Sequence, residues 1–350
     1  MKRSLVELLA DPVDGSTLRL TASASNGDDV VSGTLVSDNA EYPIVDGIPR
    51  FVAYDDDGQQ QTADSFGFKW TKRDSFGSEG MARELHGWLL KRYGFGSGDE
   101  MRRFFGSHRR VLDAGCGAGF AASAWLSQEW NAESGSEWVG LDISEAIDVA
   151  RERLGVFPST HFVQADLVHP PFRAESFDVV FSEGVLHHTP STEEAFRALV
   201  SLLAPGGELM VYVYRRKAPI REFTDDYVRA RLAELPADEA WEALRPLTRL
   251  GQALAELETE IEVPEDVPLL GIEAGRYDVQ RLLYWHVAKL FWNADMTFEE
   301  NNHLNFDWYA PRYAHRHTED EVRSWYESAG LELTRLDVDD AGFTARGVKP

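Results

Sequence analysis

Four acidic residues each stand at the end of a short apolar run between positions 109 and 217. They are Asp113, Asp142, Asp166 and Glu183. Short apolar runs alternating with helical patterns indicate parallel strands joined by right-handed crossovers. The carboxyl ends of parallel strands share one edge of a sheet, so these carboxylates should converge although they are far apart in sequence. The sequence therefore predicts an active-site cleft at that edge.

A glycine-rich turn follows the first of these runs, in the segment VLDAGCGAGF of residues 111–120. Gly115, Gly117 and Gly119 have no Cβ, so a ligand can approach their backbone N–H groups closely. The spacing differs from the dinucleotide fingerprint G-x-G-x-x-G, because the third glycine comes one residue early. The turn is typical of a cradle for a nucleoside cofactor. A turn that merely joins a strand to a helix is the alternative.

The second run ends in Asp142, 23 residues after Gly119. That distance is close to the offset of about 20 residues at which an acid of the second strand meets a ribose. We therefore expect Asp142 to bind the ribose hydroxyl groups.

The pattern Asp-x-Gly-x-Gly-x-Gly resembles the first motif of the class I S-adenosylmethionine (SAM)-dependent methyltransferases. Residues 177–188, FDVVFSEGVLHH, resemble the fourth motif of that family, and a Pro-Gly-Gly turn at 205–207 precedes the expected fifth strand. The resemblance implies that Asp113 lies near the amino-acid part of SAM, and Asp166 beside the adenine. It implies SAM as the cofactor and a cofactor-binding set of Asp113, Gly115, Cys116, Gly117, Gly119, Asp142, Ile143, Asp166, Leu167, Glu183 and Gly184.

Two histidines, His187 and His188, follow the fourth strand, where the methyl group should point. Methyl transfer from a sulfonium is an in-line displacement that chiefly requires alignment of the nucleophile and exclusion of water. A general base is needed only when the acceptor must lose a proton. We predict a catalytic role for this pair, either as base or as substrate ligand. A packing role is the alternative.

Two aromatic segments are candidates for substrate binding. Residues 62–76 combine aromatic and basic side chains and form either a lid or a packed surface. Residues 307–317, DWYAPRYAHRH, predict a loop whose aromatic walls line a pocket and whose Arg312 or Arg316 grips a carboxylate or phosphate. The predicted substrate-binding residues are Phe68, Trp70, Tyr309, Arg312, Tyr313, His315 and His317. The His spacing in this loop argues against a metal, and none is predicted.

The chain divides into five predicted segments. Residues 1–54 form a small β-rich module that resembles the Trm112-type zinc-ribbon proteins but lacks their cysteines, and 55–108 form a linker and lid. Residues 109–217 form the SAM-binding Rossmann-like core, and 218–316 a helical substrate cap. A capping box at Thr318 and Glu321 then begins the last helix, and two strands complete a seven-stranded α/β class I methyltransferase sheet within 317–350.

Charge and composition narrow the class of partner. The net charge of −24, with 59 acidic and 35 basic residues, repels phosphate backbones and disfavours nucleic acid. Cys116 is the single cysteine, which excludes a disulfide framework and a cysteine zinc site. No run of 18 apolar residues indicates a membrane span, so a cytoplasmic location is expected. The N-terminal module can serve packing, homodimer formation or partner docking.

These observations predict a SAM-dependent methyltransferase that acts on an O, N or C nucleophile of a small molecule. A methyltransferase of a translation component, tRNA or protein, is an alternative suggested by the Trm112-like module. Against this alternative, the chain lacks the Asn-Pro-Pro-Tyr motif that adenine-N6 and glutamine methyltransferases of that system carry after the fourth strand. Ser182, Glu183, Gly184 and Val185 occupy that place here. Another SAM-dependent group transfer and a non-catalytic SAM-binding scaffold are further alternatives.

Overall fold

The computed structural model of the chain describes residues 1–52, 56–127, 130, 135–157 and 159–350. Its N-terminal unit is an antiparallel sheet in the order β1-β2-β3-β4. A 3-10 helix over Arg3–Glu7 precedes the sheet, where the sequence predicts a short helix at 4–10. The strands are β1 (Arg19–Asn26), β2 (Asp29–Val36), β3 (Glu41–Val45) and β4 (Ile48–Pro49).

Three helices connect this unit to the central sheet: α1 (Asp57–Thr71), α2 (Glu79–Tyr93) and α3 (Gly98–Gly106). The first begins where the composition predicts a linker over 54–61. Asp56 caps it by accepting the Gln59 N–H at 2.6 Å, which satisfies a backbone donor that has no partner within the helix. The start of the predicted linker, residues 54 and 55, lies outside the described residues.

The core alternates strands and helices, as predicted. Its elements are β5 (Arg110–Ala114), β6 (Glu137–Asp142), α4 (Ala146–Leu154), β7 (Thr160–Gln164), β8 (Phe177–Glu183), α5 (Thr192–Ser201) and β9 (Leu203–Tyr214). The sequence pattern predicts a helix over 121–130. This prediction is wrong in its described part, which contains only a 3-10 turn at Ala122–Ala124. Residues 128 and 129 of that prediction lie outside the described residues.

The segment between the core and the last helix is largely helical. It contains α6 (Pro219–Leu232), α7 (Ala237–Ala255), β10 (Glu260–Val263), β11 (Gly275–Asp278), α8 (Val279–His286) and α9 (Phe298–Tyr309). The sequence pattern predicts a continuous helix over 276–291. This prediction is wrong, because the first of these residues pair with β10 as a strand and the helix ends at His286. The loop predicted over 307–317 begins only after Tyr309, where α9 ends.

The chain closes with α10 (Glu319–Ser328), β12 (Glu332–Val338) and β13 (Gly342–Val348). The predicted capping box is present, since the Thr318 and Glu321 side chains each accept the other's backbone N–H. The main sheet has the order β12-β13-β9-β8-β5-β6-β7. β13 pairs antiparallel with β9 and β12, and the other pairs are parallel. This is the predicted seven-stranded class I methyltransferase fold.

The N-terminal unit packs on the β7 edge of this sheet. The Phe51 N–H donates to the Gln164 carbonyl at 2.7 Å, and the Arg50 guanidinium contacts Asp148 at 2.7 Å. Buried residues of both units, among them Leu35 and Val163, belong to one hydrophobic cluster. Across the described ranges, no helix combines the length and apolarity that crossing a membrane requires.

Candidate functional site

A cavity of about 570 Å³ opens at the carboxyl ends of β5 to β9, where the sequence predicts the cleft. Its volume is in the range of small-molecule and cofactor sites. Of the predicted cofactor-binding residues, the structure brings ten to its wall: Asp113, Gly115, Cys116, Gly117, Asp142, Ile143, Asp166, Leu167, Glu183 and Gly184. Gly119 does not line the cavity. A Cβ there would stand 2.4 Å from the Leu154 side chain, so this glycine allows close packing on α4.

The glycine turn is held open by backbone conformations that favour glycine. Gly115 has φ +82°, and a Cβ on it would meet Val185 Cγ1 at 2.2 Å. Gly117 has φ +52°, and its N–H donates to Asp142 Oδ2 at 2.8 Å. The other oxygen of Asp142 accepts the Ser144 N–H at 2.9 Å and the Ser144 hydroxyl at 2.6 Å. The Asp142 carboxylate therefore stabilises the turn, and Ser144 in return holds the carboxylate in its orientation.

Asp113 is the buried carboxyl group that best indicates a missing ligand. Burial and the nearby charge of Asp142 raise the pKa of Asp113 to about 8. Within the described part of the chain, its Oδ2 atom has no hydrogen-bond partner. A cationic group of a ligand would favour its ionised form and supply the missing contact. These features fit the positively charged end of SAM.

Helix α1 lies over the cavity and presents one face to it. Gln59, Ala63, Phe66 and Trp70 recur at intervals of three or four residues, so they share that face. The Gln59 amide donates to Asp166 Oδ2 at 2.7 Å, and the Val168 N–H donates to Oδ1 at 3.0 Å. The segment predicted as linker and lid thus contacts the acid that the resemblance assigns to adenine.

Glu183 is paired within the protein. Its carboxylate accepts from the Arg92 guanidinium and from the Tyr93 hydroxyl, the latter at 2.6 Å. The Arg92 guanidinium stacks over the Tyr212 ring at 3.8 Å from its centroid. Burial and the Glu183 charge raise the pKa of Tyr93, so its phenol remains a donor. This pair forms a charged wall between β8 and α2.

The two predicted catalytic histidines have different surroundings. His188 lines the cavity, whereas His187 is fully buried behind it and stacks on Tyr214 with 3.6 Å between the ring centroids. His188 Nδ1 lies 2.6 Å from the Tyr313 carbonyl oxygen. Since a carbonyl only accepts, Nδ1 carries the hydrogen and Nε2 has a free lone pair. Within the described residues Nε2 has no partner, and burial lowers the pKa of His188 to about 4.

Most predicted substrate-binding residues lie outside the cavity; Trp70 alone among them lines it. Phe68 packs between the rings of Trp241 and Phe306, at 6.1 and 5.9 Å. The Tyr309 hydroxyl donates to Asp225 at 2.8 Å inside the insertion. Both side chains therefore connect helices to one another and do not line the cavity.

The loop after α9 also turns its side chains away from the cavity. The Arg312 guanidinium contacts Glu234 at 2.8 Å, and the Tyr313 hydroxyl donates to Asp56 at 3.0 Å. Imidazole nitrogens of His315 and His317 lie 3.1 Å from the Thr189 carbonyl and the Thr192 hydroxyl, respectively. Arg316 contacts Glu222 and Asp226. These contacts attach the loop to α1, α5 and α6.

Other side chains line the cavity that the sequence did not single out as ligands. Lys69 forms a buried ion pair with Asp307, which also accepts from the Tyr214 hydroxyl at 3.3 Å. Two further lysines line the cavity: Lys217, directly before the insertion, and Lys289, within it. For Lys69, the only sign of a role in the cavity was the basic and aromatic composition of its segment. Lys217 and Lys289 resemble ordinary surface lysines in the sequence.

No group of three or more metal-ligating side chains that could hold an ion occurs within residues 1–52, 56–127, 130, 135–157 and 159–350. The cavity is instead defined by carboxylates, cations and aromatic rings. It can bind a nucleoside at the glycine turn and an aromatic body beside it.

Comparison with known proteins gives a family match over the core. Residues 112–211 match the family described as "Methyltransferase domain". Methyltransferase GfsG of Streptomyces halstedii is 33% identical over 106 residues, which cover 29% of this chain and 36% of the relative. The tRNA U34 carboxymethyltransferase of Idiomarina loihiensis is 34% identical over 111 residues, covering 30% and 32%, respectively. The chain thus spans about a third of the length of each of these relatives.

Among solved structures, a SAM-dependent methyltransferase from Aquifex aeolicus aligns with 81% of this chain and 98% of its own, at 13% identity and a TM-score of 0.41. The family match spans β5 to β9 and therefore contains the glycine turn and all four acidic strand ends. Together with the observed strand order, it identifies this core as a class I SAM-dependent methyltransferase domain.

Proposed function

We propose that this protein transfers the methyl group of SAM to a nucleophile on a small molecule bound in the cavity. The observation that carries the proposal is Asp113: a buried carboxyl group with an unpartnered oxygen, beside a glycine turn and inside a ligand-sized cavity. Asp142 and Asp166 lie on the neighbouring strands and supply further acceptors. When bound, SAM supplies an electrophilic methyl group on a sulfonium.

The residues of this chain have distinct tasks in such a reaction. The Gly115 and Gly117 backbone allows close approach, Asp142 receives the ribose, and the face of α1 covers the site. Phe66 and Trp70 on that face help exclude water, which would compete with the acceptor. The chain thus holds both partners in line, and positioning supplies most of the rate.

His188 is the proposed base for an acceptor that must lose a proton. Its Nε2 lone pair is available at neutral pH, because burial keeps the imidazole uncharged. Asp307 stabilises the protonated ring electrostatically. His187 has no access to the cavity and is proposed to position its neighbour by packing.

A small molecule is the acceptor that the surroundings favour. The cavity is lined by α1 and by the insertion, so a bulky macromolecule would have to present its acceptor group between these elements. The net charge of −24 opposes approach of an RNA backbone.

Isothermal titration calorimetry with S-adenosylhomocysteine tests the cofactor part of the proposal. We expect Asp142→Asn to weaken binding about 10- to 100-fold, because hydrogen bonds to a charged group contribute roughly 1.5–3 kcal/mol. Asp148→Asn is the matched control, since Asp148 lies on α4, pairs with Arg50 and does not line the cavity. Equal affinities for the wild type and Asp142→Asn would contradict the proposal.

A screen of small-molecule acceptors that follows release of S-adenosylhomocysteine tests turnover. With a hydroxyl acceptor found in this way, His188→Gln should lower kcat roughly 100-fold or more and leave cofactor affinity unchanged. An unchanged kcat would remove His188 from the mechanism.

A further inference from the structure

Three cations surround the ring of Trp308 in the part of the cavity formed by the insertion. Lys289 Nζ lies 5.0 Å from the ring centroid, Lys217 Nζ 5.7 Å and Arg221 Cζ 5.3 Å. All of these residues line the cavity. So many cations around one buried ring are unusual, because each loses hydration that the protein must replace.

The arginine has a partner, but the two lysines lack a carboxylate. Arg221 Nε donates to Asp225 at 2.7 Å, and both side chains are buried. Lys217 Nζ donates to the backbone carbonyls of Asp340 and Ala341, and Lys289 Nζ donates to the Leu304 carbonyl at 2.7 Å. Among the residues that the structure describes, neither ammonium has a carboxylate within 4.0 Å.

The carboxylates farther away do not replace the missing ion-pair partners of the two lysines. Asp307, which acts on Lys289, is already paired with Lys69, and Asp225, which acts on both lysines, is paired with Arg221. Asp339 acts on Lys217 from outside ion-pair distance. Burial consequently lowers the pKa of both lysines to about 7. Within the described residues, neither lysine therefore has a carboxylate partner of its own, although Asp339 and Asp340 also line the cavity.

The walls beside these lysines are aromatic. Trp285, Tyr284, Phe291 and Trp308 all line the cavity. Lys217 Nζ lies 5.6 Å from the Trp285 ring, and the Tyr284 ring lies 4.6 Å from that of Trp285 and 6.3 Å from that of Phe291. Aromatic walls with a few polar anchors are typical of sites for small flat ligands. The chemistry thus fits a molecule with an apolar ring at one end and an anion at the other.

We propose that the methyl acceptor is an aromatic or similarly flat molecule bearing a carboxylate, and that Lys217 and Lys289 bind this carboxylate beside Trp308. This inference rests on the proposed methyl transfer and specifies its substrate class. The acidic end of the cavity receives the cofactor, and the basic end receives the acceptor.

The fold separates these two ends. Lys217 follows β9, which is two strands away from β5 and three from β6, and neighbouring strands lie about 4.8 Å apart. The lysine strand is therefore roughly 10–14 Å from the strands that carry the glycine turn and Asp142. The carboxylate of the cofactor itself is the competing occupant, and the experiment must distinguish the two.

The test measures binding of 1-naphthoate and of the neutral 1-naphthamide by calorimetry, at pH 6.5, to protein saturated with S-adenosylhomocysteine. We expect naphthoate to bind at least 10-fold more tightly than naphthamide. Lys217→Met and Lys289→Met should each weaken naphthoate binding about 10-fold, with naphthamide and S-adenosylhomocysteine affinities unchanged. Lys349→Met is the matched control, because Lys349 also donates to a backbone carbonyl, that of Leu203, but lies outside the cavity.

Each outcome decides one question. Equal affinities for naphthoate and naphthamide, or naphthoate binding that survives both lysine substitutions, would overturn the inference. Loss of S-adenosylhomocysteine affinity in the lysine variants would assign the cations to the cofactor and likewise overturn it. If S-adenosylhomocysteine fails to bind the wild type, the proposed function fails instead. S-adenosylhomocysteine binding that is retained in the Lys217→Met and Lys289→Met variants also shows that these variants are folded.

Discussion

Replacing Lys289 with methionine should stabilise the protein at neutral and lower pH. Burial lowers the pKa of Lys289 from 10.5 to about 7, so the folded state binds this proton less tightly than the unfolded chain. Below pH 7 the ammonium is charged in both states, and burying this charge lowers the free energy of unfolding. One pKa unit corresponds to about 1.4 kcal/mol, which makes the full cost on the order of 5 kcal/mol.

The substitution also removes a favourable contact. The Leu304 carbonyl loses its donor, which costs about 1–3 kcal/mol for a buried acceptor. We therefore expect Lys289→Met to raise the free energy of unfolding by roughly 2–4 kcal/mol at pH 6.5. The gain should shrink between pH 7 and 10.5, because the unfolded state alone carries the proton in that window and the wild type becomes more stable as pH rises.

Urea unfolding of the wild type and of Lys289→Met at pH 6.5, 8 and 9.5, followed by tryptophan fluorescence, measures this difference. Titrations of other groups are common to both proteins and cancel in the comparison. Lys349→Met is the control, since Lys349 is partly exposed and pairs with Glu175 at 2.9 Å. The reasoning is refuted if Lys289→Met is less stable than the wild type at pH 6.5, or if the two proteins have the same pH slope.

Two further substitutions test the walls of the site. Gly115→Ala should reduce S-adenosylhomocysteine affinity at least 10-fold in calorimetry, because its Cβ would stand 2.2 Å from the Val185 side chain. Gly206→Ala has a similar positive φ and nothing within 4 Å, so an equal loss there would attribute the effect to backbone strain. Arg92→Leu should cost about 3 kcal/mol in chemical denaturation by leaving the partly buried Glu183 carboxylate without its cation. Arg92→Leu combined with Glu183→Gln should recover part of that loss, and no recovery would argue against the ion pair as its cause.

The acidic rim was predictable because it depends on local patterns and one topological rule. Each apolar run ends in its acid within a few residues, and parallel winding brings all the strand ends to one edge. Thus Asp113, Asp142 and Asp166 could be placed together from the sequence alone. The capping box at Thr318 was predictable for the same reason, since its two residues are three positions apart.

Helix α1 was not predictable from local composition. Its first turn is rich in Asp and Gln, which in isolation favour a linker as readily as a helix. The helix is stabilised by the N-cap at Asp56 and by distant contacts, such as Gln59 with Asp166 and Lys69 with Asp307. A sequence pattern contains no information about partners that are 107 or 238 residues away.

Most of the predicted substrate-binding residues lie apart from the cavity for a related reason. Aromatic and cationic side chains are equally suited to lining a pocket and to joining helices through buried hydrogen bonds. Tyr309 serves the second purpose through its buried hydrogen bond to Asp225, and Arg312 instead forms an exposed contact with Glu234. Neither role is visible until the partner is seen in the structure. Conversely, Lys217 and Lys289 look like solvent-facing residues until the insertion folds over them.

The attachment of Phe51 to Gln164 has a consequence for the solubility of the domain. β7 is the last strand of the main sheet, and an uncovered last strand offers unpaired N–H and C=O groups to other molecules. The N-terminal unit covers part of this margin with its own backbone and with the Arg50 ion pair to Asp148. A fragment trimmed to the catalytic core would expose that margin, so the small unit protects its neighbour against intermolecular β-pairing.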